Sequence, residues 1–270
     1  MSRKTKEKKN KRKEEYVELT GILGNAEDYH VYHMKKTDYV TAWVIGFVGA
    51  AVVMYAFFRS LPLTLFVGAM VGLFVPKYYQ QYKKENRLRQ LRIQFKDLLE
   101  SLAASYSAGR NTPDAFADAF SDLVSIYESK ADIVKEIQII CAGISNNIQV
   151  EALLLDFAAR SGLEDVLSFA NVFEVCSRQG SDMKRIVSDT RNVINDKIEI
   201  EMEIETMLSG NKNELNVMMV MPVIIVLSLS SMGSGTIVSN TPVNFVIKLI
   251  CLGIFGFAYF MGRKIVDVKI

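Results

Sequence analysis

Two stretches of the chain are almost without charge, and the rest is densely charged. The first covers residues 40–75 and divides into 40–58 and 61–75 at Arg59-Ser60. The second covers residues 217–261 and divides into 217–232 and 243–261 around the polar stretch 233–242. A helix rises about 1.5 Å per residue and a bilayer core is about 30 Å thick. Residues 40–58 and 243–261 are therefore long enough to span it. Residues 61–75 are short alone, and Pro76, Lys77, Tyr78 and Tyr79 extend them as an aromatic and basic interface anchor. The pattern predicts two transmembrane helical hairpins, four transmembrane helices in all.

Between the hairpins the apolar positions take the spacing of helix faces. Leu88, Leu91, Phe95, Leu98, Leu99, Leu102 and Tyr106 recur every third or fourth residue. Gly109 supplies a stop, and Thr112-Pro113 an N-cap and first turn. Phe116, Ala119, Phe120, Leu123 and Tyr127 mark a second helix. Ile133, Ile137, Ile140, Cys141 and Ile144 mark a third, ending near Gly143 and Asn146-Asn147. Val150, Leu153, Leu154, Phe157 and Ala158 mark a fourth, stopped by Ser161-Gly162. Leu163, Val166, Leu167, Ala170 and Phe173 mark a fifth, stopped by Gly180. Ser181-Asp182 caps a sixth, with Met183, Ile186, Val187, Thr190 and Ile194 on its face. This last helix is expected to continue towards the third span as a stiff stalk, interrupted at most near Ser209-Gly210. The fold class is all-α: a single six-helix bundle inserted between two hairpins. The divisions are a basic tail over 1–39 with some helix potential at 16–23, a hairpin over 40–79, the bundle over 80–216, and a second hairpin with a short tail over 217–270.

Charge sets the orientation. Arg3, Lys4, Lys6, Lys8, Lys9, Lys11, Arg12 and Lys13 precede the first span. Lys77, Lys83, Lys84, Arg87, Arg89 and Arg92 follow the second, and Arg263, Lys264 and Lys269 the fourth. The two remaining loops hold only Arg59, with Lys248 a short way inside the fourth span, where it can snorkel to the surface. Cytoplasmic flanks are enriched in Lys and Arg, so four spans place both termini and the bundle in the cytoplasm. Polar residues flank Met34 and no apolar h-region sits near the N-terminus, so no cleavable secretory signal is expected.

Composition narrows the class. The chain has 270 residues, 50% hydrophobic and 23% charged, with a net charge of +2. That much charge excludes a protein lying wholly within a bilayer. A mean hydropathy of +0.15 requires the apolar residues to be clustered. Cys141, Cys176 and Cys251 are widely spaced and form no CxxC, which argues against a disulfide framework or a zinc site; each reads as a small buried hydrophobe.

No catalytic constellation emerges. Walker, GxGxxG, HExxH and GxSxG patterns are absent. His30 and His33, near Glu27 and Asp28, lack further ligands and read as a polar juxtamembrane segment rather than a metal site. Both histidines lie in one short linker, away from any candidate Ser or Cys nucleophile. The chain is therefore expected to be non-enzymatic, with no cofactor and no metal. The basic tail lacks the interleaved aromatics of nucleic-acid readers, and attraction to anionic lipid accounts for it more simply.

Phe95-Lys96-Asp97-Leu98-Leu99 through Ala108-Gly109 and Ala115-Phe116 resembles the opening motif of the type II secretion system F domain family. Ala158-Ala159-Arg160-Ser161-Gly162 and Val172 to Gly180-Ser181-Asp182-Met183 are similar to its second half, and Asn213 to Pro222 to its exit into the membrane. The resemblance covers residues 88–240 and the hairpin before them. A single domain with a hairpin on each side is similar to the tight-adherence (Tad/Flp) pilus platform proteins. The resemblance implies a non-enzymatic inner-membrane platform that couples a hexameric secretion-type ATPase to the lifting of pilin subunits into a filament. It also implies assembly with itself or with a sister platform protein. Independently of the family, charge and position suggest two partner surfaces: Arg87, Arg89, Arg92 and Lys96 on the first bundle helix, and Glu199, Glu201, Glu203 and Glu205 on the stalk. The stalk carboxylates also suit a merely solvated helix. A membrane-anchored helical scaffold or signalling protein without mechanical role is the alternative. A transporter would need a polar path through the spans, and only Lys248 and scattered Ser, Thr and Asn are available for one.

Overall fold

The computed structural model describes residues 19–24, 26–32, 34, 36–58, 60–179, 183–231 and 242–266. The fold is all-α, with no strand among the described residues. The helices are α1 (Lys36–Phe58), α2 (Leu61–Ser107), α3 (Thr112–Ile126), α4 (Asp132–Ser145), α5 (Val150–Ser161), α6 (Glu164–Gln179), α7 (Met183–Ser231) and α8 (Pro242–Val266). The chain forms two compact units: residues 1–32 with 84–194, and residues 33–83 with 195–270.

The first unit is built on the apolar stripes that the periodicity marks. Leu91, Phe95, Leu98, Leu99 and Leu102 of α2 are buried with Phe116 and Leu123 of α3, Ile133 and Ile137 of α4, and Leu154 and Phe157 of α5. Phe95 is the hub. Its ring meets those of Phe157 and Phe169 edge-on, with centroids 6.2 and 5.8 Å away, and Phe173 continues the cluster to Phe116. In α6 the buried stripe is Val166, Phe169, Ala170 and Phe173, while Leu167 is exposed. The strict three-four spacing from Val166 selects Phe169, and Leu167 lies about 100° further round the helix. Polar ties join the helices at the rim: Arg92 to Asp165, Tyr127 to Asp97, and Ser101 to Asp122.

Several boundaries move from their sequence positions. The N-cap of α3 is Asn111, whose side chain accepts from the Asp114 amide, so Thr112 and Pro113 lie inside the first turn. Gly162 ends α5 in the left-handed region, φ 64°, as a C-terminal glycine does. Gly143 lies inside α4, where a Cβ would come within 2.6 Å of Leu153, so it serves close approach to α5 rather than termination. Residues 19–24 form a turn rather than a helix. α2 runs unbroken through Pro76, and α7 through Gly210 and Pro222. Gly180, Ser181 and Asp182 lie outside the described residues, as do 1–18, His33 and Arg59. Cys141 and Cys176 are half-buried and Cys251 is exposed, so none is the fully buried hydrophobe expected.

In the second unit, α1 and α2 pack through glycines. A Cβ on Gly46 would fall 2.6 Å from the Val75 side chain, and one on Gly72 would fall 3.0 Å from the Trp43 indole nitrogen. Missing side chains of this kind let two apolar helices approach closely. Both helices are long and apolar enough to cross a membrane, and α8 carries a shorter apolar stretch, Val246–Gly262.

Replacing Phe95 by Ala removes the ring on which the aromatic cluster converges. It should destabilise the first unit by about 3–5 kcal/mol, read from denaturant or thermal unfolding. A loss below about 1 kcal/mol would mean that the cluster is not the core.

Candidate functional site

The densest polar arrangement of the first unit lies where residues 19–32 cross α4 and α5. Two charged residues stand at core positions there. Arg160 follows Leu153 and Phe157 along the buried stripe of α5, and Glu136 stands in the stripe of Ile133, Ile137 and Ile140 on α4. Each side chain is 1% exposed. They meet as a two-pronged pair, Arg160 Nη1 and Nη2 each donating to one Glu136 oxygen at 2.7 Å. Such fork-to-fork geometry is the strongest form of ion pair and fixes the relative register of its two helices. Arg160 Nε donates to Asp156 at 2.8 Å, one turn back on α5.

The pair is completed by the segment before α1, hereafter the strap. The Tyr29 hydroxyl donates to Glu136 Oε1 at 2.8 Å, Arg160 Nη1 donates to the Glu27 carbonyl at 3.2 Å, and the Tyr29 amide donates to the Arg160 carbonyl at 3.1 Å. Tyr29 is 2% exposed. Its burial, followed by the nearby charge of Glu136, pushes the phenol far above its ordinary range, so it stays a neutral donor. Burial works against charge on Arg160, but its bonds to Glu136 and Asp156 outweigh that and hold the guanidinium above its usual value.

A second, more open layer surrounds this one. Arg87 of α2 binds both Asp132 oxygens at 2.6 Å, lies 4.6 Å from the centre of the Tyr29 ring and donates to Glu27 at 2.5 Å. Lys135 adds a bond to Glu27 at 2.9 Å. Hydrogen bonds from Arg87 and then Lys135 hold the Glu27 carboxyl below its ordinary value. The strap is shaped by its own contacts. Asp28 accepts from the Leu19 and His30 amides, and Gly21 adopts φ 70° where a Cβ would meet Ala26 at 2.7 Å. The His30 ring lies over Gly162, with Nε2 2.7 Å from where a Cβ would be.

The partner surfaces expected from charge are placed as follows. On α2, Arg87 pairs with Asp132 and Glu27, Arg92 with Asp165, and Lys96 with Asp97, while Arg89 is exposed. On α7, Glu199 and Glu203 are exposed and Glu201 is half-buried, while the Glu205 side chain lies outside the described residues. The structure thus gives Arg87, Arg92 and Lys96 carboxylate partners within the first unit. His30 pairs with Asp28, and no cluster of three or more His, Cys, Asp or Glu that could hold a metal occurs among the described residues. Cys141 donates weakly to the Phe116 carbonyl, and burial pushes its thiol up to about 11, away from nucleophilic use.

Glu136, Arg160, Tyr29 and Glu27 have no place among the sequence-derived site residues. A sign was present: an Arg and a Glu each occupy a position that the apolar period assigns to the core, and opposite charges so placed are expected to find one another. Comparison with protein-family models, with curated proteins and with solved structures finds no match.

Glu136→Gln leaves the Arg160 guanidinium buried beside a neutral amide and should cost about 3–5 kcal/mol in unfolding free energy. The double replacement Glu136→Leu with Arg160→Met should recover most of that loss. Equal losses for the single and double variants would contradict a mutual pair.

Because Glu27 titrates lower when folded, its contact stabilises the strap above the ordinary value of 4.5 and is lost as pH falls through the folded value. Pepsin cleavage within residues 19–32, normalised to Glu27→Gln, should rise on acidification below that value. A flat ratio would contradict the contact.

Proposed function

We propose that the chain is a non-enzymatic inner-membrane platform protein of a type IV pilus of the Tad/Flp kind or of a type II secretion machine. It would couple a cytoplasmic ATPase to the extraction of pilin subunits and to filament assembly. In this reading four spans, grouped as two hairpins, hold a six-helix bundle on the cytoplasmic side with both termini. The observation that carries the proposal is the order of its motifs. Phe95 to Leu99, Ala108-Gly109, Ala158 to Gly162 and Asn213 to Pro222 follow one another in the family's sequence, between charge-free segments.

Physical features support it. α1 from Tyr39 onward and α2 as far as Val75 are free of charge, and α2 continues without a break into the first unit, so one helix carries both apolar and charged surface. A helix transmits displacement along its axis more faithfully than a flexible linker. α7 offers the same continuity at the other end of the unit's chain. The first unit is held by buried aromatic rings and a buried ion pair, which suits a body that is moved as a whole.

Arg87, Arg92 and Lys96 have carboxylate partners within the unit. Docking of a basic partner is therefore assigned to the exposed acidic run on α7, around Glu199 and Glu203. Many exposed carboxylates near one another raise the association rate of a cationic surface and lose that effect in salt.

Two measurements test this. The chain should co-purify in mild detergent with a secretion-type ATPase, hydrolyse no ATP alone and change the rate of its partner; ATP hydrolysis by the chain itself would contradict the platform, and co-purification without a rate change would favour the scaffold. Charge reversal at Glu199→Lys and Glu203→Lys should lower ATPase capture at least tenfold while leaving the unfolding midpoint of the first unit in place. Undiminished capture would remove α7 from the docking surface.

A further inference from the structure

Three chain connections join the two compact units, at residues 32/33, 83/84 and 194/195. The second falls inside α2 and the third inside α7, so neither can loosen without breaking helical hydrogen bonds. The first is different in kind. It consists of the non-helical strap, followed by residues 33–35 and then α1.

The strap is held chiefly by polar contacts. Its anchors are the Tyr29 hydroxyl on Glu136, the Tyr29 amide on the Arg160 carbonyl, the Glu27 carbonyl on Arg160 and the Glu27 carboxylate on Arg87 and Lys135. Besides the buried Tyr29 ring, Leu23, Val31 and Tyr32 are half-buried, whereas Leu19 and Ile22 are 41% and 49% exposed. Beside it lies a cleft of about 290 Å³ between Leu23, Glu27 and Tyr29 of the strap and Lys135, Gln138 and Ile139 of α4, so the strap is not tightly packed there. The charged groups that it would leave behind, Glu136, Arg160, Arg87 and Lys135, can be met by water, beside the apolar Ile139 and Ala142. Undocking exposes the buried Tyr29 ring, which water penalises, and otherwise exchanges protein hydrogen bonds for solvent ones, a nearly balanced trade. The floor beneath it stays intact, because the Arg160–Glu136 and Arg87–Asp132 pairs are each two-pronged without the strap.

We propose that residues 19–32 are a releasable strap. The face formed by α4, α5 and Arg87 is a seat for an acidic and aromatic segment, here the chain's own Glu27-Asp28-Tyr29. The strap leaves and re-enters that seat as one unit while the helices beneath it remain folded. Docked, it holds the chain ahead of α1 on the first unit. Released, it leaves α2 and α7 as the remaining connections. On the platform reading this is a clutch that decides whether movement of the bundle reaches the first span. That use rests on the platform proposal, whereas the existence of the strap does not.

Amide hydrogen exchange on the full-length protein in detergent or nanodiscs tests it. The amides of Gly24, Ala26 and Tyr29 are bonded to Gly21, Thr20 and Arg160. They should exchange at a common rate, at least tenfold faster than the amides at the centres of α4 and α5, as a separately opening unit does. Tyr29→Phe deletes the bond to the Glu136 carboxylate and should speed strap exchange about 10- to 100-fold while leaving the α4 and α5 centres unchanged. Strap amides that exchange only as slowly as those centres would overturn the proposal, as would a variant that speeds both equally. Either failure would leave the ATPase result untouched, and a failed ATPase result would leave the strap untouched.

Discussion

The cost of holding a charge away from water organises this chain. An ion in a dry interior is tolerated only when a partner of opposite sign and further hydrogen bonds replace its hydration. In the first unit the condition is met by pairing: Arg160 and Glu136 share two bonds and take others from Tyr29, Asp156 and the Glu27 carbonyl. In the second it is met by exclusion, because residues 40–58 and 61–75 contain no ionisable charge. Both ways of meeting the condition occur within single elements. α2 is free of charge from Leu61 to Val75 and then carries Arg87 and Arg92, which find carboxylates in the first unit.

From this follows a division of labour in the packing. Apolar rings around Phe95 supply a non-directional core, while the Arg160–Glu136 pair supplies direction. A core of rings alone tolerates small slips of one helix against another. A fork-to-fork ion pair does not, since a shift of one ångström strands a buried charge. The same pair provides the polar floor on which the strap rests, so the contact that fixes α4 against α5 also determines how the segment before α1 is seated. The glycines of α1 and α2 solve a different problem: with no ion pairs available, close approach at Gly46 and Gly72 replaces them.

Where local period governs structure, the sequence was legible. Helices α3 to α6 lie where the three-four spacing put them, and most of their core residues are those of the apolar stripes. The misses have physical causes. Leu167 and Phe169 compete for one stripe, and only the register set by Val166 decides between them. The continuity of the second apolar segment with the first bundle helix as one α2 was not legible, because the polar run from Gln80 to Asn86 between them carries no apolar stripe. The strap was invisible to periodicity because it has none. Its conformation is set by Arg160 and Glu136, more than a hundred residues away, and by Gly21 at positive φ. Its polar composition reads as a solvated tail until the charges in the core of α4 and α5 are asked for their partners.

The side of the membrane on which the first unit lies is the claim on which the functional account stands. It is tested most directly by single cysteines placed at the exposed positions Ala104 and Glu164 in a variant lacking Cys141, Cys176 and Cys251, treated in intact cells with a membrane-impermeant thiol reagent. The account predicts no labelling until the cytoplasmic membrane is permeabilised. Labelling from outside at either position would contradict it.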